Sequence, residues 1–163
     1  MNGDVPHVDD LASVGRPERS LSAGSLATSD PVWGTAGIAY FTTSGIMLLD
    51  PTSGQSRLMS SEYVNGVLAW SPGRVLAVAE PTQIVLLKAS GAVLGDLPDP
   101  PTSRPVCGLA WSRSGKEILL STRKNGTRLA QLWVGTVRTK RWHELPAPPL
   151  WRNDGYDCAV SSR

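Results

Sequence analysis

From Pro31 onward the chain alternates between short apolar runs and turn-rich separators. Ile46-Met-Leu-Leu49, Ile84-Val-Leu-Leu87 and Ile118-Leu-Leu120 are apolar at successive positions. A strand with one wet face alternates apolar and polar residues, so these runs call for cover on both faces. They are too short, and too tightly bracketed by Gly and Pro, to be helices. The separators carry hairpin chemistry. Asn125-Gly126 is a two-residue turn signal. Asp50-Pro-Thr-Ser-Gly54 closes GIMLL onto QSRLM, with Gly54 suited to a positive φ. The pattern predicts an all-β chain.

The runs recur as a phrase. GVLAWSPGRVLAVA (Gly66–Ala79) returns as GLAWSRSGKEILLS (Gly108–Ser121), and PVWGTAGIAYFT stands at the same place in an earlier unit. Trp33, Trp70 and Trp111 are 37 and 41 residues apart. A period near 40 is the length of a four-stranded propeller blade. The repeats place units at 31–60, 64–99 and 105–147, with the start of a fourth at 155–163 in Asp157-Cys-Ala-Val-Ser-Ser. The third unit shows four strand-like runs, VCGLAW, EILLS, AQLWVG and RWHEL. Each copy of the phrase predicts the innermost strand of a blade and the turn into the second. Trp33, Trp70 and Trp111 are then structural blade residues, and Trp70 and Trp111 fill equivalent slots between adjacent blades.

The phrase GLAWSRSGKEILLS, followed by LWVGT and a short outer run, resembles the propeller repeats of the WD40 and TolB families. The unit PVWGTAGIAYFT with IMLLDPTSG is most similar to the TolB-type (PD40) version. The resemblance covers about residues 31–145. It departs at the Ser-Pro-Asp-Gly turn, which stands as Ser71-Pro72-Gly73, Ser112-Arg113-Ser114-Gly115 and Gly34-Thr35-Ala36-Gly37, without the Asp. Nor is there a Trp-Asp pair; Trp133-Val134 lies where one would fall. The expected fold is a partial β-propeller of about three four-stranded antiparallel blades.

Composition agrees with this picture. Sixteen Gly and thirteen Pro suit many short strands joined by turns, and 40% hydrophobic residues suffice for a core. Residues 1–30, rich in Ser, Gly, Ala and Asp, show no period and read as a disordered tail. No run approaches the length of a membrane span, and the start has neither a basic nor an apolar signal region, which points to the cytoplasm. Cys107 and Cys158 match neither a disulfide framework nor a zinc spacing, and are expected to be reduced. LPDPPTSRP (Leu97–Pro105) and LPAPPLW (Leu145–Trp151) read as extended linkers between blades.

The net charge of +2 hides an asymmetry: residues 1–101 sum to −5 and residues 102–163 to +7. Arg123, Lys124, Arg128, Arg138, Lys140 and Arg141 form two small basic groups at the two ends of the third unit, a weak candidate polyanion contact. Charged turns in a soluble β protein explain them more simply, so nucleic acid is disfavoured as a partner. His143 beside Glu144 is the only acid–base pair to consider, but strand neighbours point to opposite faces. The chain shows no nucleophile elbow, zinc-protease motif or phosphate loop. No cofactor, metal or catalytic residue is named by the sequence, and no enzyme is expected.

Propellers close with 4–8 blades, and three repeats fall short. The chain is a fragment of a longer propeller, completes a ring by self-association, or caps its own open arc; the first is favoured because the sequence stops within a strand phrase. The expected function is an interaction scaffold binding a protein partner. The alternative is the sensing or gating propeller of a larger enzyme, kinase or transport protein.

Overall fold

The computed structural model describes residues 30–100, 106–123 and 130–146. Residues 1–29 of the expected tail, the start of the fourth unit, most of both proline-rich segments, the Asn125-Gly126 turn, Lys124, Arg128 and Cys158 lie outside them. Twelve strands make three four-stranded antiparallel meanders. Blade 1 holds β1 (Val32–Gly34), β2 (Gly37–Thr42), β3 (Gly45–Leu49) and β4 (Ser56–Ser60). Blade 2 holds β5 (Val67–Trp70), β6 (Val75–Ala79), β7 (Gln83–Lys88) and β8 (Val93–Pro98). Blade 3 holds β9 (Val106–Trp111), β10 (Glu117–Arg123), β11 (Ala130–Thr136) and β12 (Arg141–Leu145). The all-β partial propeller expected from the sequence is the fold observed.

Local chemistry sets the turns. In blade 1, Thr42 is buried and its hydroxyl donates to the carbonyl of Gly45 (3.1 Å) while accepting from the Ser44 amide (3.2 Å). In the first turn of blade 2, Ser71 Oγ accepts the Val75 amide at 2.9 Å. Ser112 Oγ repeats the device in blade 3, accepting from Glu117 at 3.1 Å. A serine at this place gives the turn an acceptor that a plain backbone turn lacks.

Two apolar cores lie between the blades. The first joins Ala39, Phe41, Ile46 and Leu48 of blade 1 to Leu68, Leu76, Val78, Val85 and Leu87 of blade 2. The second joins Ala77, Ala79, Ile84, Leu86 and Leu97 of blade 2 to Ile118, Leu120 and Trp133 of blade 3. Blade 2 is therefore covered on both faces, and its runs VLAVA and IVLL are buried almost throughout. Burying each such aliphatic side chain contributes roughly 1.5–3 kcal/mol. Among the described residues blade 3 packs against another blade on one face only. Its run Ile118-Leu-Leu120, which the sequence reads as covered on both, alternates instead: Ile118 and Leu120 are fully buried and Leu119 is 37% exposed.

The tryptophans of the inner strands bridge blades in sequence. Trp70 packs against the first core and lies over Gly34 of blade 1, where a Cβ would overlap its ring. Trp111 packs on the second core, and its Nε1 donates to the Ala69 carbonyl of blade 2 at 3.0 Å. Trp33, at the same place in blade 1, is 70% exposed.

The expectation of reduced cysteines is corrected: Cys107 on β9 is disulfide-bonded, and no described cysteine is free. The spacing of two lone cysteines carries no framework signal. Whether a cysteine is bonded is decided by approach in space, which the sequence does not show.

Gly34 and Gly108 both sit on inner strands with ordinary negative φ, yet a Cβ at Gly108 would meet only the Ser121 Cβ, at 3.7 Å. Gly34→Ala is expected to cost about 1–3 kcal/mol by wedging Trp70 away from blade 1, and Gly108→Ala under about 0.5 kcal/mol. Urea denaturation followed by tryptophan fluorescence measures both.

Candidate functional site

Meander topology sends the first and third turns of every blade to one end of the arc, and the second turn and the inter-blade connection to the other. Charged residues sort by this rule. The first-and-third-turn end carries Arg57, Arg74, Lys88, Arg113, Lys116, Arg138, Lys140 and Arg141, against Asp50, Asp96 and Glu117. The opposite end carries Asp30, Glu62, Glu80, Asp99 and Glu144 against Arg123. The first-and-third-turn end of the described arc is the basic one.

The basic set named from sequence divides accordingly. Arg138 and Lys140 lie in the third turn of blade 3, and Arg141 opens β12 opposite Thr136. Arg123 closes β10, about 20 Å away along the strand. Arg57, Arg74, Lys88, Arg113 and Lys116 escaped that reading because they are spread over three units. Their common signal is turn parity.

Between blades 1 and 2 the basic end opens into a cleft of about 350 Å³ lined by Asp50, Ser53, Gln55, Ser56, Arg57 and Arg74, among others. The Asp50 carboxylate is committed to its own turn. It accepts the Thr52 amide (2.8 Å) and the Ser53 hydroxyl (2.9 Å). These bonds hold its pKa below the usual value, the Thr52 amide contributing most. The Arg57 guanidinium donates to the Ala89 carbonyl on the third turn of blade 2. On the next blade interface, Lys140 Nζ lies 3.2 Å from Asp96 of β8. Trp142 Nε1 donates to the Pro98 carbonyl at 2.6 Å, tying β12 to the end of β8.

Two of these cations sit in backbone conformations that disfavour side chains. Arg74 has φ 64° and Lys140 φ 54°. Arg74 bonds back to Ser71 as Gly115 does to Ser112, and Gly115 has φ 68°. Lys140 bonds back to Thr136 much as Gly54 does to Asp50, and Gly54 has φ 74°. At both positions an equivalent blade uses glycine, for which the left-handed region has no steric penalty.

At the opposite end, burial pushes the Asp99 carboxyl up to about 6. Its Oδ1 is buried without a hydrogen-bond partner, while its amide donates to the Thr82 carbonyl at 3.3 Å. Tyr63 is raised above its usual value by burial first and the Glu62 charge second. His143 pairs with Val134, and Glu144 with Trp133, accepting from Gln131 Nε2 at 2.6 Å. The two side chains therefore project to opposite faces of blade 3. Among the described residues no cluster of three His, Cys, Asp or Glu is placed to hold a metal, and no helix is long and apolar enough to cross a membrane.

No sequence-family model matches the chain. No characterised protein matches it by sequence. Solved structures do match in shape. U3-55K superposes with a TM-score of 0.58 at 19% identity, over 78% of this chain and 41% of that one. The RRP9 WD40 repeats give 0.57 at 19%, over 77% and 40%. TolB from Acinetobacter baumannii gives 0.56 at 18%, over 72% and 31%. The chain thus has the fold of WD40- and TolB-type propeller blades and spans less than half the length of each of these proteins.

Two outcomes are expected here. Arg74→Gly exchanges a left-handed cost of about 1–2 kcal/mol for a glycine entropy cost of about 0.5–1 kcal/mol, so it raises stability by about 0.5–1 kcal/mol in chemical denaturation. Asp99, with a folded pKa above its unfolded value, favours folding fully only below about pH 4 and loses that contribution as pH rises through about 6. Asp99→Asn therefore gains stability over the native chain between pH 5 and 8 and loses the slope, read from melting temperatures across pH.

Proposed function

We propose that the chain is a propeller-repeat interaction scaffold whose basic end receives an acidic segment of a partner protein. The sorting of Arg57, Arg74, Lys88, Arg113, Lys116, Arg138, Lys140 and Arg141 to one end carries the reading. Turns positioned by a rigid sheet scaffold are the usual place for recognition. Strained backbone at Arg74 and Lys140 supports it further, because keeping a long cation where glycine is cheaper is a cost that contact with a partner would offset. In the cleft, Asp50 is engaged in its own turn, which leaves Arg74 as the cation facing an incoming carboxylate.

A second reading is favoured by one observation: the chain spans 31–41% of the length of the propellers it resembles. On that reading these blades are the sensing or gating propeller of a larger enzyme, kinase or transport protein, and the chemistry lies elsewhere. A neighbouring reading frame that continues the repeat supports it; none doing so counts against it.

The scaffold reading is checked by fluorescence anisotropy with Glu/Asp-rich and Lys-rich peptides of equal length. The acidic peptide is expected to bind and to weaken as salt rises. Arg74→Gly combined with Lys88→Ala is expected to lower affinity by about fivefold or more while the fold is kept. Equal binding of both peptides, or displacement of the acidic peptide by a single-stranded oligonucleotide at lower concentration, would count against a protein partner.

A further inference from the structure

We infer that the cleft between blades 1 and 2 receives the amino terminus of the acidic partner segment, its α-ammonium group set against Asp50 and its first acidic side chain against Arg74. This rests on the scaffold reading above and names the part of the partner that enters the cleft. Asp50 and Arg74 line the same cavity of about 350 Å³. Neither forms an ion pair with the other or with any described residue. The bonds that lower the Asp50 pKa come from its own turn, with no cation among them. Two opposite charges therefore share one cleft and stand apart, each without a counter-ion. A plain anion satisfies Arg74 but is brought near Asp50. A ligand end that carries both charges satisfies the two together.

Both groups have bonding capacity to spare. Each Asp50 oxygen accepts one bond, from the Thr52 amide at 2.8 Å and the Ser53 hydroxyl at 2.9 Å. An ionised carboxylate accepts about four, so an ammonium group finds acceptors left over. The turn bonds also fix the direction of the carboxylate and keep it ionised. The Arg57 guanidinium is occupied by the Ala89 carbonyl, which walls the cleft between β4 and the third turn of blade 2. Arg74 is the cation left for an incoming carboxylate. The volume lies at the lower end of the roughly 300–1,000 Å³ of ligand clefts. Such a space takes the end of a chain more readily than its middle, which would have to enter and leave again.

Comparison with the next interface shows that the charge pair is particular to this one. The Asp50 amide donates to the Gln55 carbonyl, and its carbonyl accepts from Gly54. Lys88 holds that place in blade 2, its amide donating to Ala92 and its carbonyl accepting from Gly91. Gly115 holds in blade 3 the place that Arg74 holds in blade 2. Blades 1 and 2 thus meet at Asp50 and Arg74, and blades 2 and 3 at Lys88 and Gly115. The second interface offers a cation without a carboxylate, which suits a plain anion. A segment anchored by its terminus in the first cleft can lay its later acidic residues toward Lys88, Arg113 and Lys116, which gives it a direction across the arc.

The test is fluorescence anisotropy of the full chain with one Glu/Asp-rich peptide, labelled at its carboxyl end, its amino terminus either free or acetylated. At about pH 6.5 the free terminus is expected to bind about threefold tighter or more, the size of one exposed ion pair. Net charge alone predicts the reverse, since acetylation makes the peptide more negative. Free α-amino groups titrate near about 7.7–8.0, so the preference is expected to fade by about pH 9.5. In Asp50→Asn the side-chain oxygen still accepts the Thr52 amide, and circular dichroism is expected to remain native. This variant is expected to lose the preference and to bind the acetylated peptide at least as well as the native chain does. Equal affinity of the two peptides for the native chain overturns the proposal and leaves the acidic-segment reading standing. So does a preference that persists in Asp50→Asn or at about pH 9.5. Free glutamate competing as well as the peptide also overturns it, because the guest is then an amino acid and not a partner's terminus. If neither peptide binds, the acidic-segment reading falls with it.

Discussion

No backbone hydrogen-bond ladder crosses from one blade to another among the described strands. Everything that keeps the arc together is therefore side-chain packing between sheets, and it is organised by one contact made twice: an inner-strand tryptophan lying on the blade before it. Trp70 over Gly34 and Trp111 on Ala69 set the spacing at which the two apolar cores fill. The outer ties from Arg57 to Ala89, Lys140 to Asp96 and Trp142 to Pro98 follow the same order of later blade on earlier blade, or its reciprocal. They are exposed, and the one ion pair among them, Lys140 with Asp96, is worth at most about 1 kcal/mol. The cores carry the stability, and the outer ties fix the angle.

The same topology that leaves the blades unpaired to each other also gathers cations at one end. In a meander, turn number decides which end of the sheet a residue reaches. Cations placed in the first and third turns of successive repeats converge in space although they are spread from Arg57 to Arg141 in sequence. Two of them occupy backbone positions where an equivalent blade has glycine, so the convergence is maintained against a local preference.

Strand positions were legible because the apolar runs and their turn punctuation are unambiguous; VCGLAW, EILLS, AQLWVG and RWHEL fall within β9 to β12. What was not legible depends on neighbours absent from the local pattern. Trp33 carries the same motif as Trp70 and Trp111 yet is exposed, while Tyr40 and Leu49 on the same face of blade 1 are buried. Leu119 sits in a run that reads as doubly covered and is covered once. The left-handed backbone at Arg74 was masked because Gly73, one residue earlier, looked like the turn glycine; the hydrogen bond from the Arg74 amide to Ser71 shows the turn shifted by one. The bonded state of Cys107 depends on an approach in space that no spacing rule encodes.

Every strand pairs with its neighbour in sequence, so each blade can assemble from contacts made a few residues apart, without waiting for distant chain segments to meet. Such an array behaves as a short line of units coupled only to nearest neighbours. The middle unit then owes its persistence to both flanks, while each outer unit leans on one. Fluctuations open from the two ends inward, and the amides of β6 and β7, buried between two cores, exchange with solvent last.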